Sequence, residues 1–266
     1  KNDNGNKRKL SKRKDPEAAV SYYKEEGIPV NAVKEYLLNI ANSTFENWRR
    51  ANPDKDMDEF DFQLNKMSVS GALFDMIKLL DIGKTVISKM TAEEVFENSL
   101  IWSKEFDKEL ETMLQDRDYS LKVFGIERGN KKPRKDIAKW SDVKNSIIYM
   151  YDNKFLDNEV SYDYAKISDK EEINKLLKSY IDDYFDINDD KEIWFNKIKD
   201  LAEKNGYARE VKEYKANPEN FPGHVGDVST VLRVALTGRQ NTPDMYEIIK
   251  VLGKDSVIKR IEKAIK

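Results

Sequence analysis

The chain has 266 residues, 36% of them charged and 39% apolar, with a mean hydropathy of −0.76; this is enough for two or three compact units and offers no apolar run able to span a bilayer. It holds no cysteine and a single histidine, His224, which excludes disulfides, thiol nucleophiles, Cys-based zinc sites and a His cluster for a metal, and removes Ser-His catalysis as a ready reading. With a charged N-terminus and no apolar secretory segment, the expectation is a cytoplasmic protein without membrane association, with no metal centre of its own, and monomeric.

In chain order the sequence reads mainly as helices. Asp15 is a good N-cap with Pro16 at the first helical position, and Gly27 ends that segment just before Pro29. Val33, Tyr36, Leu37 and Ile40 then fall at i, i+3, i+4 and i+7, the spacing of one apolar helix face. Two or three short helices are expected over residues 57 to 89, and Thr91-Ala92-Glu93-Glu94 has the form of a capping box opening a longer one. After Arg128-Gly129-Asn130-Lys131-Lys132-Pro133 a helix is expected to restart near Arg134, with Ile137, Trp140 and Val143 inward. Residues 150 to 166 read as an extended aromatic and acidic connector. Helices are then expected at 169–185, 190–204, 208–216, 228–237, 243–252 and 255–265. The fold class is all-α; short strands near the N-terminus, left over from an adjoining domain, are left open.

Net charge is −2, yet its distribution is uneven. Residues 1 to 14 carry seven Lys/Arg against one Asp, and residues 122 to 139 carry seven Lys/Arg against Glu127 and Asp136, whereas residues 152 to 192 hold thirteen acids and six bases. Such segregation suits a protein that touches a polyanion on one side and repels it on the other.

Four stretches carry candidate chemistry. Lys9-Leu10-Ser11-Lys12-Arg13, running on through Lys14-Asp15-Pro16, sets a serine among mobile cations in a loop that enters a helix. Such a loop can wrap a triphosphate, supplying point charge where negative charge develops on a leaving pyrophosphate. Lys66-Met67-Ser68-Val69-Ser70 mimics it but lacks the fourth-position lysine, and is read as structural. In the basic block after Glu127, a Pro-marked helix entry would offer Arg134 and Lys135 with backbone N–H groups to a phosphate or an unstacked base. In Val231-Leu232-Arg233-Val234-Ala235-Leu236-Thr237-Gly238, followed by Thr242-Pro243-Asp244-Met245, Gly238 permits a left-handed turn and Thr242 with Pro243 is expected to cap the next helix. His224-Val225-Gly226-Asp227 is read as a loop histidine before an Asp227 N-cap.

KLSKRKDPEA resembles the KMSKS loop of class I aminoacyl-tRNA synthetases in its glutamyl form, and residues 231 to 249 resemble the LRxALTG…TPxLxEI segment of the bacterial glutamyl-tRNA synthetase anticodon-binding domain. Residues 64–82 and 130–143 are similar to the same family in the same order. Leu10 for Met and Arg13 for the final Ser depart from the general class pattern. His224-Val225-Gly226-Asp227 echoes the HIGH signature of that class, but the second histidine is missing. The resemblance implies the C-terminal part of a glutamate–tRNA ligase that forms a glutamyl-adenylate with ATP and magnesium, and the stretch alone is expected to bind tRNA without catalysing. By position Lys12 is the catalytic residue that would hold ATP phosphates, while Lys9, Leu10, Ser11 and Arg13 complete the loop. Arg233, Thr242, Pro243 and Met245 fall at anticodon contacts, and Arg134 is expected to read the third anticodon base. The expected organisation is a stem-contact region at 1–90 followed by a two-part helical anticodon-binding domain at 91–166 and 167–266. The partner is tRNA(Glu), with tRNA(Gln) left open. Two other readings remain: a glutaminyl-type synthetase, which would have a β-barrel anticodon region, and a helical protein- or RNA-interaction module unrelated to aminoacylation.

Overall fold

The computed structural model describes residues 2–3, 6–67 and 71–265, and among them the all-α expectation holds. Two compact units are formed, one from residues up to Phe124 with Arg128–Ser146, the other from Gly125–Glu127 with Ile147 onward.

The first unit opens with a small strand pair, β1 (Asn2–Asp3) antiparallel to β2 (Asn6–Lys7). Then come a 3-10 turn at Pro16–Ala18, α1 (Val20–Glu26), α2 (Val30–Ala41) and α3 (Phe45–Ala51). Short turns at Met57–Glu59 and Leu64–Lys66 lead to α4 (Met76–Lys89), α5 (Ala92–Phe106), α6 (Lys108–Met113) and α7 (Arg117–Gly125). The unit closes through a 3-10 turn at Trp140–Asp142 into α8 (Val143–Ile147).

Ala32 and Tyr36 of α2 pack with Leu79 of α4 and with Ile28, which precedes α2, each large apolar side chain contributing about 1.5–3 kcal/mol. The Tyr36 hydroxyl accepts the Asp75 N–H at 2.5 Å, and Asp75 caps α4 through the N–H groups of Ile77 and Lys78. Thr91 and Glu94 form the foreseen capping box. Gly27 ends α1 in the left-handed region at φ 74°, where a Cβ would lie 2.8 Å from that of Trp140; its carbonyl accepts the Trp140 N–H at 2.8 Å. Gly83 has a second reason to lack a side chain: a Cβ there would sit 2.3 Å from the carbonyl oxygen of Ala138.

That close approach explains a correction. The helix expected to restart near Arg134 is absent, and the chain is non-helical from 133 to 137 and first turns at Trp140–Asp142. Pro133 supplies no N–H, and the main chain at Ala138 lies against α4, so an extended path is the one that fits. Arg134 and Lys135 are therefore not in a helical first turn.

The second unit comprises a 3-10 turn at Ile148–Met150, α9 (Asp152–Phe155), α10 (Lys170–Ser179) running into a π-turn at Tyr180–Tyr184, and α11 (Lys191–Lys204). It continues with α12 (Val211–Ala216), a 3-10 turn at Pro218–Asn220, α13 (Val225–Thr237) and α14 (Met245–Ala264). Gly253, at φ 77° and ψ 167°, breaks α14 where the sequence placed the gap between two helices. The core includes Leu176, Tyr180, Ile198, Leu232, Ile249 and Ile261, and the Trp194 indole donates to the buried Tyr180 hydroxyl at 3.1 Å.

Arg260 is fully buried in this unit and fully occupied. Its Nη1 donates to the carbonyls of Tyr149 and Leu236 at 2.6 and 2.8 Å, its Nη2 and Nε donate to Asp152 Oδ1 at 2.8 and 3.0 Å, and its guanidinium lies 4.3 Å from the Phe155 ring centroid. A buried charge is tolerated only when paired and hydrogen-bonded, and this one ties α14 to α9 and to the end of α13.

Candidate functional site

The loop from Arg8 to Asp15 is built around one buried carboxylate. Asp15 side-chain exposure is 0%, and its two oxygens accept from Arg8 Nη1 and Nη2 at 2.6 and 2.7 Å, a bidentate pairing of the strong, geometrically specific kind. The same carboxylate accepts the Ser11 N–H at 2.9 Å, while the Ser11 carbonyl accepts from the N–H groups of Lys14 and Asp15. Asp15 thus does not cap the following turn, as its place in the sequence suggested; it shapes the preceding loop. Leu10 and Ser11 are half-buried, and Lys9, Lys12, Arg13 and Lys14 are exposed. The arrangement presents several cations on a braced backbone. Arg8, which no sequence signal singled out, is half of the brace.

The other stretch with the letters of this loop behaves differently. Lys66 and Met67 end a 3-10 turn, Met67 bridges to Asn42, and the Lys66 carbonyl accepts the Ser43 N–H. Ser68, Val69 and Ser70 lie outside the described residues.

In the basic block much of the charge is occupied internally. Arg128 donates to the carbonyls of Phe124, Ile87 and Met90 at 2.8 to 3.0 Å, and burial lowers its pKa. Arg134 forms a two-point contact with Asp136 at 2.6 and 3.3 Å, Lys135 donates to the Thr85 hydroxyl, and Lys139 pairs with Glu26. Lys131 and Lys132 are exposed.

The connection between α13 and α14 brings three of the sequence-predicted residues together. Gly238 caps α13 at φ 68°, and Arg233 Nη1 reaches over the turn to donate to the Thr242 hydroxyl, the Thr242 carbonyl at 3.3 Å and the Pro243 carbonyl at 2.9 Å. Thr242 is buried and Asp244, not Thr242 with Pro243, caps α14 by accepting the Glu247 N–H. Met245 is packed in the core at 3% exposure. Gln240 and Asn241 are exposed, and Arg239 stacks over the Tyr149 ring at 4.8 Å; none of these was singled out in the sequence, because exposed loop residues carry no periodic signal. His224 is a helix cap and not a loop residue before one: its Nδ1 accepts the Gly226 N–H at 2.9 Å, and Asp227 closes the capping box.

Among the described residues no group of three or more His, Cys, Asp or Glu side chains is gathered as for a metal, and no helix is long and apolar enough to cross a membrane.

A family model, the anticodon binding domain, matches residues 218–265, which contain the α13–α14 connection. Glutamate–tRNA ligases of Acetivibrio thermocellus and Clostridium perfringens strain SM101 are 47% and 46% identical over 262 and 264 residues, in each case 98% of this chain and 47% and 48% of the relative. That of Sorangium cellulosum is 47% identical over 256 residues, covering 96% of this chain and 44% of the relative. The chain thus spans about half the length of the curated relatives it matches. A solved glutamate tRNA ligase from Elizabethkingia meningosepticum superposes with a TM-score of 0.63 at 20% identity, over 98% of this chain and 49% of that one. One from Elizabethkingia anophelis gives 0.59 at 21% identity over 91% and 42%; at such identity the likeness is one of fold. Along nearly its whole length the chain is similar to the glutamate–tRNA ligases, of which it spans about half, and its residues 218–265 match the anticodon binding domain family.

Proposed function

We propose that the chain is the tRNA-contacting part of a cytoplasmic glutamate–tRNA ligase, the whole of which joins glutamate to tRNA(Glu) through an ATP-derived glutamyl-adenylate. The observation that carries this reading is the identity to such ligases over 98% of the chain, combined with the anticodon binding domain match at 218–265. In it, residues 1–90 contact the stem and carry the ATP loop, and 91–166 with 167–266 form the anticodon-binding part. The protein acts as a monomer.

For ATP the fit is one of charge and shape. Lys9, Lys12 and Arg13 stand exposed on a loop braced through Ser11, so the cations need little reordering to meet a triphosphate. Lys12 is the catalytic residue in this proposal, steadying negative charge on the departing pyrophosphate, and Leu10 anchors the loop. ATP bound there brings magnesium with it, and this chain offers that ion no cluster of its own among the described residues. In the second unit, the α13–α14 connection faces the anticodon: Arg233 holds Thr242 and Pro243 in place so that backbone groups of the loop meet a splayed base. Met245 supports this loop from the core. Arg134, held by Asp136, is assigned to the third anticodon base and must exchange that partner to reach it.

The test is binding of the chain to tRNA(Glu), tRNA(Gln) and an anticodon-scrambled control at two salt concentrations. A preference for the glutamate anticodon that falls about tenfold in Arg233→Ala, a loss of ~1.4 kcal/mol, supports the reading. Each phosphate contact on a single strand should contribute a log–log salt slope of roughly −0.7. Equal binding of tRNA(Gln) would point to relaxed discrimination, and equal weak binding of all three would favour a helical module unrelated to aminoacylation.

A further inference from the structure

Residues 150–166, read as an extended connector, contain α9 instead; between α9 and α10 the chain forms neither helix nor strand, with turns or bends at 156–158 and 165–166, and it does more than connect. Tyr162 and Tyr164, two residues apart, lie with their rings parallel within 8° and their centroids 5.9 Å apart. Together with Ser161, Ile167, Asn174 and Ala264 they line a cavity of about 500 Å³, within the range of roughly 300–1,000 Å³ typical of sites for small organic ligands.

Three features define what the cavity suits. Its floor is apolar, with Ile167, Ile173 and Ala264 buried. The Tyr164 hydroxyl is buried and has no hydrogen-bond partner among the described residues, an unusual state for a buried polar atom; burial raises its pKa to about 12, so it remains an O–H able to donate and accept. The two charges on the lining, Asp163 and Lys170, are of opposite sign, and Asp163 already accepts the N–H of Ala165, so no net charge selects an ion. The cavity also shares a wall with the α13–α14 connection: the Asp163 carbonyl accepts from Gln240 at 3.3 Å, and a Cβ on Gly238 would meet Val160 at 3.0 Å.

We propose that this cavity receives an unpaired nucleobase. A base is a flat, uncharged ring with a polar edge; its face suits the tyrosine pair, as unpaired bases commonly stack on aromatic side chains, and its edge suits the unpartnered hydroxyl. An aliphatic chain would leave that hydroxyl unmet, and an anion would find no net positive lining. The assignment rests on the tRNA reading above, because the base is taken to come from the RNA loop that lies on the neighbouring connection. A free nucleotide offers the same chemistry and is separated by experiment.

The experiment uses the anticodon stem-loop of tRNA(Glu) carrying 5-iodouridine at loop positions, photo-crosslinked to the chain and mapped by mass spectrometry. Affinities are measured for the wild type, Tyr164→Ala and Ser161→Trp. The last places bulk at an exposed rim position and carries the test should Tyr164→Ala fold poorly, with circular dichroism and melting as the check. Crosslinks at Tyr162 or Tyr164 and about tenfold weaker binding in the variants, a loss of ~1.4 kcal/mol, are expected. Wild-type discrimination between the hairpin and a scrambled control, with unaltered affinity in both variants and crosslinks elsewhere, overturns the cavity assignment while leaving the tRNA reading intact. No discrimination by the wild type overturns both. Displacement of a Ser161→Trp-sensitive signal by uridine, cytidine or guanosine monophosphate, with hairpin affinity unchanged in that variant, overturns the RNA source in favour of a free nucleotide.

Discussion

The loop from Arg8 to Asp15 and the segment from Arg128 to Lys139 are both rich in Lys and Arg, yet the fold uses them in opposite ways. In the first, a buried aspartate takes the guanidinium of Arg8 and the N–H of Ser11, leaving Lys9, Lys12, Arg13 and Lys14 exposed. In the second, four of six cations, Arg128, Arg134, Lys135 and Lys139, are held by carbonyls, a hydroxyl or carboxylates of the protein, while Lys131 and Lys132 stay exposed. Charge density alone therefore does not locate a polyanion site; what matters is which cations the fold leaves uncommitted.

The largest effect that would break this contrast is predicted for Gly83→Ala. A Cβ 2.3 Å from the Ala138 carbonyl oxygen forces the main chain of the second segment off α4, and overpacking of this kind costs about 2–3 kcal/mol, to be read from urea unfolding. Next is Asp15→Ala, which strips a buried partner from Arg8 and Ser11. Because Arg8 is itself 32% exposed, the loss should be about 1–2 kcal/mol, below that for a fully buried pair, with faster tryptic cleavage after Lys12, Arg13 and Lys14. Arg128→Met should cost about 1–2 kcal/mol by leaving the Ile87, Met90 and Phe124 carbonyls without their donor, with little change in tRNA binding; a large loss of binding with intact stability would overturn the assignment of this residue to structure. Smallest in stability are Lys12→Ala and Lys135→Ala, each within about 0.5 kcal/mol. These two separate in solution: Lys12→Ala should make binding of inorganic tripolyphosphate measurably weaker and less dependent on salt, and Lys135→Ala should leave both nearly unchanged.

Much of the fold was legible because its signals are local. Gly27 and Gly238 end helices in left-handed conformations, and the Thr91–Glu94 box opens one, each within a few residues of sequence. What escaped depends on partners far away in the chain or on competition between neighbours. Asp15 has the letter of an N-cap, but Arg8 and Ser11 claim its oxygens. Arg134 follows a proline as helix starts do, but the approach of Ala138 to Gly83 holds that stretch extended. Asp244 caps α14 where Thr242 was expected, because Arg233 engages the Thr242 hydroxyl. α3, α6 and α7 passed unnoticed, being short and weakly patterned, and the four-residue α9 stands where an extended connector was read. Of the candidate site residues, Arg233, Thr242 and Pro243, read together in the sequence, meet in the structure, while Arg8 and the Tyr162–Tyr164 pair become visible only in three dimensions.

Arg260 is joined to chain more than a hundred residues earlier through the carbonyl of Tyr149 and the carboxylate of Asp152, and to the end of α13 through the carbonyl of Leu236. Any opening that frees the end of α13 must uncover the same guanidinium that holds α9, and an uncovered charge in that interior is too unfavourable to persist alone. The consequence lies in time and not in shape. Amide protons in α9, at the close of α13 and in the second half of α14 should exchange with solvent as a single cooperative unit, so the α13–α14 connection is mounted on a base that yields all at once or not at all.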